Sequence, residues 1–370
     1  MNKIRIVADD KIPFLRESPL SALCDMTFLP GGRISRADLL SADALITRTR
    51  TKCNAETLDG TRVKLIATAT IGYDHIDTEY CARNGIVWKN APGCNAPSVA
   101  QYLTSLLLSF SRKYSMELRG KVIGVIGAGN VGKRVIEAAS ALGMRVLVND
   151  PPRQEAEGSD GFVSLEEICR NADFLSFHVP LEREGRYPTF HLADHAFLSS
   201  LKPEAIVINT SRGEVVDNRS LKGVLSEKKI RGAALDVWEG EPEIDLELME
   251  LLDFATPHIA GYSTDGKANG TAASVRTAAR FFGWKEAESW YPSVPLPEKH
   301  ELEVASLADA VYASYDIRKD DAALRKSPAE FEKQRGNYPL RREFQAYRIR
   351  NMAALAPELQ ATLRRLKFQE

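Results

Sequence analysis

The sequence predicts an α/β protein built on parallel sheets, followed by a C-terminal region of different character. Three observations carry that prediction. Short β-branched runs alternate with amphipathic stretches through about residue 285. A strand-like run from Lys121 to Ile126 passes directly into Gly127-Ala-Gly129-Asn-Val-Gly132 and then into a helical stretch. After Pro292, Pro295 and Pro297 the alternation stops.

In the first hundred residues, Ile4–Ala8, Ala44–Thr47 and Leu65–Ala69 are apolar runs of the length of buried parallel strands. Ser35–Leu40 and Asp77–Asn84 are the helices expected between them. Pro97 opens a long helix over Ser98–Tyr114, with Val99, Tyr102, Leu103, Leu106, Leu107 and Phe110 on one face. A second series follows, with strands at Val122–Ile126, Arg145–Val148, Phe174–Phe177, Ala205–Asn209 and Ala233–Val237. Thr271–Phe282 reads as its closing helix. Beyond residue 298 the pattern gives helices at Leu302–Ser306, Ala322–Lys326 and Arg341–Ala356, in a stretch too short for a generous core of its own. Packing against a partner subunit is the expected remedy.

Composition excludes several classes. With 49 Lys and Arg against 50 Asp and Glu, the formal net charge is −1, so there is no global field for a nucleic acid or an anionic membrane surface. Apolar runs stop far short of a membrane span, and the N-terminal residues lack the uncharged core of a secretion signal. A cytoplasmic location is expected. Five scattered cysteines without a Cys-x-x-Cys pair read as free thiols, not as a disulfide framework or a zinc site, and no metal is expected.

The glycine run has the chemistry of a dinucleotide site. Gly127 permits the tight turn, Gly129 lets backbone approach a pyrophosphate, and Gly132 allows close packing of helix on strand. The next strand ends at Asp150, 18 residues after Gly132, where a carboxylate can accept hydrogen bonds from an adenosine ribose. That acid repels a 2′-phosphate and favours NAD over NADP, although Arg153 is a nearby cation that would suit the phosphate. Three later strands end in polar segments: Asn209-Thr210-Ser211-Arg212-Gly213, Asp236-Val-Trp-Glu-Gly-Glu241-Pro242, and Thr256-Pro-His258-Ile-Ala-Gly261-Tyr262. Removing hydride from an alcohol carbon needs a base for the hydroxyl proton, and His258 is the candidate. Glu241 is the acid expected to orient it, and Arg212 the planar donor for a substrate carboxylate.

With these motifs in their Arg…Glu…His order, the chain resembles the D-isomer-specific 2-hydroxyacid dehydrogenases over about residues 1 to 285. The resemblance implies a central Rossmann domain (96–263) inserted in a discontinuous, flavodoxin-like substrate domain (1–95 with 264–290). The motifs Ala91-Pro-Gly-Cys-Asn-Ala96 and Asp150-Pro-Pro152, and the C-terminal extension, resemble one branch acting on a phosphorylated 2-hydroxy acid. In that branch the extension, here 291–370, is an α+β dimerisation domain, so a homodimer is implied. The catalytic set implied is Arg212, Glu241 and His258. For NAD it is Gly127, Gly129, Asn130, Val131, Gly132, Asp150, Val179, Thr210, Ser211, Arg212, Asp236 and Gly261. Thr49, Thr70, Tyr262 and Arg48 are implied on the substrate. Position 179 departs from the branch, which usually has Thr there; valine leaves only a backbone contact.

A substrate phosphate needs cations, and the sequence places Arg48 and Arg50 around Thr49 and seven Lys or Arg against three acids over 340–370. Arg341 or Arg342 is the expected reach toward the phosphate. Another hydroxyacid dehydrogenase, such as one acting on 3-phosphoglycerate, and an NAD-sensing interaction protein without turnover share these features; activity separates them.

Overall fold

The computed structural model describes residues 3–370, which form two compact units. The first comprises the chain up to Asn95 and the segment Ser263–Pro295; the second comprises Ala96–Tyr262 and Leu296–Glu370. No helix among the described residues is long and apolar enough to cross a membrane.

The first unit holds five parallel strands: β1 (Arg5–Asp9), β2 (Asp25–Leu29), β3 (Ala44–Thr47), β4 (Leu65–Thr68) and β5 (Val87–Lys89), in the order β2-β1-β3-β4-β5. This is the flavodoxin-like order. β3 and β4 are buried along their whole length, as their uninterrupted apolar runs require. The edge strands β2 and β5 are largely open to water, and their mixed composition hid them from periodicity. The returning helix runs over Thr264–Phe282, starting seven residues earlier than the sequence suggested. Ser263 caps it by accepting the Gly266 N–H. Gly270, a poor helix former, is needed there because a Cβ would strike the Ala69 backbone carbonyl at the end of β4.

The second unit contains β6 (Val122–Ile126), β7 (Arg145–Asn149), β8 (Phe174–Phe177), β9 (Ile206–Asn209), β10 (Gly232–Leu235) and β11 (Phe254–Ala255). All are parallel, in the order β11-β10-β9-β8-β6-β7. Compared with the usual Rossmann order, the strand outside β7 is reduced to one backbone bond, from Val163 N–H to the Val148 carbonyl at 2.8 Å. The order in which successive strands are added reverses between β6 and β8, so a crevice opens at their carboxyl ends. Apolar cores lie on both faces, one built on helix Ala96–Lys113 and the other on Leu221, Leu248 and their neighbours.

The C-terminal stretch departs from expectation in two places. Leu302–Ser306 is not a helix: Glu301–Leu302 forms β12, pairing in parallel with β13 (Arg348–Ile349). Arg341–Ala356, expected as one helix, is a chain of short 3-10 turns around β13. Non-local contacts decide both. The helices lie instead at Leu307–Ser314, Ile317–Lys326, Phe331–Gly336 and Pro357–Arg365. The stretch shares a core with the glycine-loop helix through Ala138 and Ala141, packed with Leu302, Val311, Phe344 and Leu363. It also covers the sheet edge: Asp321 accepts the Ala255 N–H at 2.8 Å, and Arg325 donates to the Met249 and Leu252 carbonyls.

Candidate active site

The glycine loop has the shape its sequence implies. Gly127 adopts φ 89°, and a Cβ there would lie 2.6 Å from the His178 carbonyl oxygen and 2.8 Å from Val179 Cγ1 across the crevice. A Cβ on Gly132 would strike the Gly127 carbonyl, so helix and strand meet as closely as backbone allows. Nothing stands within 4 Å of the corresponding position on Gly129, which forms the N-cap of helix Asn130–Ala141 without any side-chain cap. Open space before uncapped N–H groups of Asn130, Val131 and Gly132 is what a pyrophosphate needs. The residues present therefore fit a dinucleotide.

Asp150 ties this loop down. One carboxylate oxygen accepts the Ala128 N–H at 2.8 Å and the other accepts the Arg153 N–H, capping the next helix. Arg153 is engaged elsewhere: its Nε donates to Glu157 at 2.8 Å and its Nη1 to the Ala128 carbonyl at 2.7 Å. Its guanidinium thus braces the loop's backbone. Val179 sits at the mouth of the crevice, after His178, whose ring is enclosed between the hydroxyls of Ser176 (2.8 Å) and Thr210 (3.4 Å). Desolvation pushes His178 down to about 3, so its imidazole is neutral.

At the ends of β9, β10 and β11 the predicted catalytic residues converge. His258 Nδ1 lies 2.7 Å from Glu241 Oε2, and Glu241 Oε1 accepts the Trp238 N–H at 2.8 Å. Burial pushes the Glu241 carboxyl up, but the His258 hydrogen bond, the charge of that ring, the Trp238 N–H and the nearby Arg335 outweigh it and hold the acid below its usual range. With Nδ1–H committed to Glu241, His258 Nε2 is left as the proton acceptor. Neighbouring Glu239 is no substitute: it bonds His191 at 2.6 Å and the Asn218 N–H. His191, Glu239 and Asp217 bring one ligand atom each within 4.8 Å, but Asp217 is occupied capping helix Asn218–Ser226.

His258 is held in a left-handed backbone conformation, φ 55°, which a non-glycine residue adopts only under constraint. Asp236 supplies the constraint. Its carbonyl accepts the His258 N–H at 2.7 Å, and its carboxylate accepts the N–H groups of Ile259 and Ala260 and the Thr256 hydroxyl. The Asp236 side chain is buried, so it acts inside the protein as the clamp of this turn, behind Gly261. Tyr102 and Trp238, whose site roles the sequence did not announce, back the clamp through the Thr256 hydroxyl (2.8 Å) and carbonyl (3.0 Å).

Arg212 follows β9 on a turn held by Asn209, which donates to the Arg212 carbonyl and accepts the Ser211 N–H and hydroxyl. Its guanidinium donates to the Ser211 carbonyl at 2.9 Å. Gly213 lets this turn interlock with the Glu241 loop, because a Cβ would lie 2.6 Å from Glu239 N and closer still to the Trp238 carbonyl. Thr49 and Thr70 lie in the other unit, after the neighbouring strands β3 and β4. The Thr49 residue is exposed, Arg48 donates to the Lys11 carbonyl at 3.2 Å, and the Thr70 hydroxyl is engaged with Thr68 and the Gly72 carbonyl.

The expectation for Arg341 is corrected. It is 4% exposed, stacks 3.7 Å over Tyr315, and donates to Gln101, Ile259 and Ser98, leaving it no reach toward a substrate. Arg342 is buried too. Arg335, in the helix Phe331–Gly336, is instead the C-terminal cation beside Tyr262 and Glu241. No motif in the sequence marked it.

Comparison with known proteins agrees with this geometry. Residues 104–260 match the family model described as the D-isomer specific 2-hydroxyacid dehydrogenase NAD binding domain, and 288–366 match a domain family of unknown function. An erythronate-4-phosphate dehydrogenase of Bacteroides fragilis is 47% identical over 347 residues, 94% of this chain and 99% of the relative. One from Bacteroides thetaiotaomicron is 48% identical over 346 residues, with the same coverage. Among solved structures, a D-lactate dehydrogenase of Aquifex aeolicus, complexed with NAD and lactic acid, superposes with a TM-score of 0.65 at 27% identity, covering 79% of this chain and 99% of that one. The chain belongs to the erythronate-4-phosphate dehydrogenases, within the D-isomer-specific 2-hydroxyacid dehydrogenase family.

Proposed function

We propose that this protein oxidises 4-phospho-D-erythronate at C2 to 3-hydroxy-2-oxo-4-phosphooxybutanoate, a step of pyridoxine 5′-phosphate synthesis. The observation that carries the reading is the 2.7 Å Glu241–His258 pair, interlocked with the Arg212 turn through Gly213. NAD, held by the glycine loop and Asp150, supplies the acceptor for the hydride leaving C2. Arg212 binds the substrate carboxylate and draws electron density from C2. His258 Nε2 takes the C2 hydroxyl proton as the C–H bond breaks, and Glu241 stabilises the imidazolium that forms. Asp236 keeps His258 aimed through the strained turn. Thr49, Thr70, Arg48 and Tyr262 are the proposed substrate contacts; the cofactor contacts proposed are the loop glycines, Asn130, Val131, Asp150, Thr210, Ser211, Arg212, Gly261 and the backbone at Val179, while Asp236, expected among them, has its carboxylate and carbonyl committed to the turn that holds His258.

A homodimer formed through the C-terminal stretch and a cytoplasmic location belong to the same reading. Free cysteines support the location, and light scattering on the purified protein tests the dimer. The activity test follows NADH absorbance with 4-phospho-D-erythronate beside 3-phosphoglycerate, D-lactate and unphosphorylated D-erythronate. Selective turnover of phosphoerythronate is expected. Selective turnover of another acid would refute the substrate, and cofactor binding without turnover of any acid would refute the enzyme.

A further inference from the structure

Arg335 is the one C-terminal cation whose surroundings ask for a ligand. Its guanidinium carbon lies 5.6 Å from the Tyr262 ring centroid and 5.8 Å from that of Phe331. Nη1 donates to Glu332 at 2.6 Å, while Nε is buried with no hydrogen-bond partner. A buried guanidinium N–H without an acceptor is uncommon, because desolvation of the donor goes uncompensated. The surrounding wall is fixed in advance. Tyr262 meets Tyr338 edge-on at 6.0 Å, and the Tyr338 and Tyr315 hydroxyls both donate to Asp320, at 2.6 and 2.9 Å.

The chemistry of the orphan donor narrows what would fill it. Arg212 is already assigned to a carboxylate at the reacting end of the substrate, only three residues of chain separate His258 from Tyr262, and Arg341 is spent on backbone carbonyls and Gln101. A guanidinium edge offers a pair of donors matched to two oxygens of a phosphomonoester, and an anion there would meet a cation bonded to Glu332 through Nη1 and shared through space with Glu241, its Nε still without an acceptor.

We propose that Arg335 selects phosphorylated substrates, the Nε side of its guanidinium receiving the terminal phosphate next to Tyr262. The C-terminal stretch then contributes directly to substrate choice. This assignment rests on the hydroxyacid dehydrogenase reading above.

The test compares wild type with Arg335→Gln and Arg335→Lys on two substrates, 4-phospho-D-erythronate and D-erythronate, and measures inorganic phosphate binding to the NAD-loaded proteins by calorimetry. Loss of a charge-assisted pair should cut kcat/KM for the phosphorylated substrate roughly a hundredfold more than for the unphosphorylated one. Arg335→Lys, which keeps the charge and loses the fork, should recover part of that preference, and phosphate binding should weaken in step. An equal fall on both substrates would overturn the proposal and make Arg335 a positioning residue for Glu241. An unchanged preference, or undiminished phosphate binding in a folded Arg335→Gln protein, would overturn it as well. Should wild type oxidise neither substrate, the enzyme reading fails; the calorimetric comparison still decides whether Arg335 holds phosphate.

Discussion

Alanine at Gly213 adds one methyl group where the Arg212 turn and the Glu241 loop touch. The new carbon would press on the Trp238 carbonyl more closely than on Glu239 N, itself 2.6 Å away, against the 3.4 Å at which ordinary contact begins, so the two loops must part by more than about 1 Å. Neither can give way alone: Asn209 pins one, and Glu241 is bonded to the Trp238 N–H and His258 in the other. A displacement near 1 Å between a substrate clamp and its base costs on the order of 10²-fold in rate. The same overpacking should destabilise the fold by about 1–3 kcal/mol. NADH absorbance at saturating substrate measures the first effect and urea unfolding the second, while fluorescence titration with NAD should show only a modest loss of binding: the proposed Thr210 and Ser211 contacts adjoin Gly213, but the glycine loop and Asp150 lie on other strands. A Gly213→Ala protein that turns over at the wild-type rate would refute the claim that this contact sets the spacing of Arg212 and His258.

Three further outcomes are expected. His258→Asn should lower kcat by roughly 10²–10⁴-fold while NAD still binds, and a near-normal rate would remove His258 from the role of base. Arg341→Ala should cost about 3–5 kcal/mol in urea unfolding, since Gln101 and two carbonyls lose a buried partner, but leave the preference for phosphorylated substrate intact; a lost preference would return Arg341 to the substrate site. His178 binds its proton in the unfolded chain near pH 6.5 and in the folded one only near about 3, so its stabilisation is complete above pH 6.5 and shrinks as pH falls between those values, by up to about 1.4 kcal/mol per unit. The unfolding midpoints of wild type and His178→Gln, compared from pH 7 to 5, should converge on that side, and parallel curves would contradict it.

What could be read from the sequence depended on how local the causes were. β3, β4 and β8 are four-residue apolar runs buried end to end, and burial on both faces writes itself into composition. β2 and β5 have water on one side and so no such signature. Arg341, Arg342 and Glu343 look like the polar face of a helix, yet all three are buried, with Arg341 held by partners some 82 to 243 positions away in the chain. In the site, Arg212, Glu241 and His258 stood out because each ends a strand in a recognisable motif. The clamping duty of Asp236 depends on a three-dimensional turn, and Arg335 betrays itself only by a nitrogen without a partner.

The shared core between the C-terminal stretch and the glycine-loop helix sets a limit on modularity. A cofactor module trimmed at residue 295 would bare Ala138 and Ala141 and leave the Ala255 N–H on β11 unpaired, an open edge able to recruit strands from other chains. Such a fragment should aggregate before it could serve as a minimal NAD carrier, so any transplant of this nucleotide site into another scaffold has to bring its tail along.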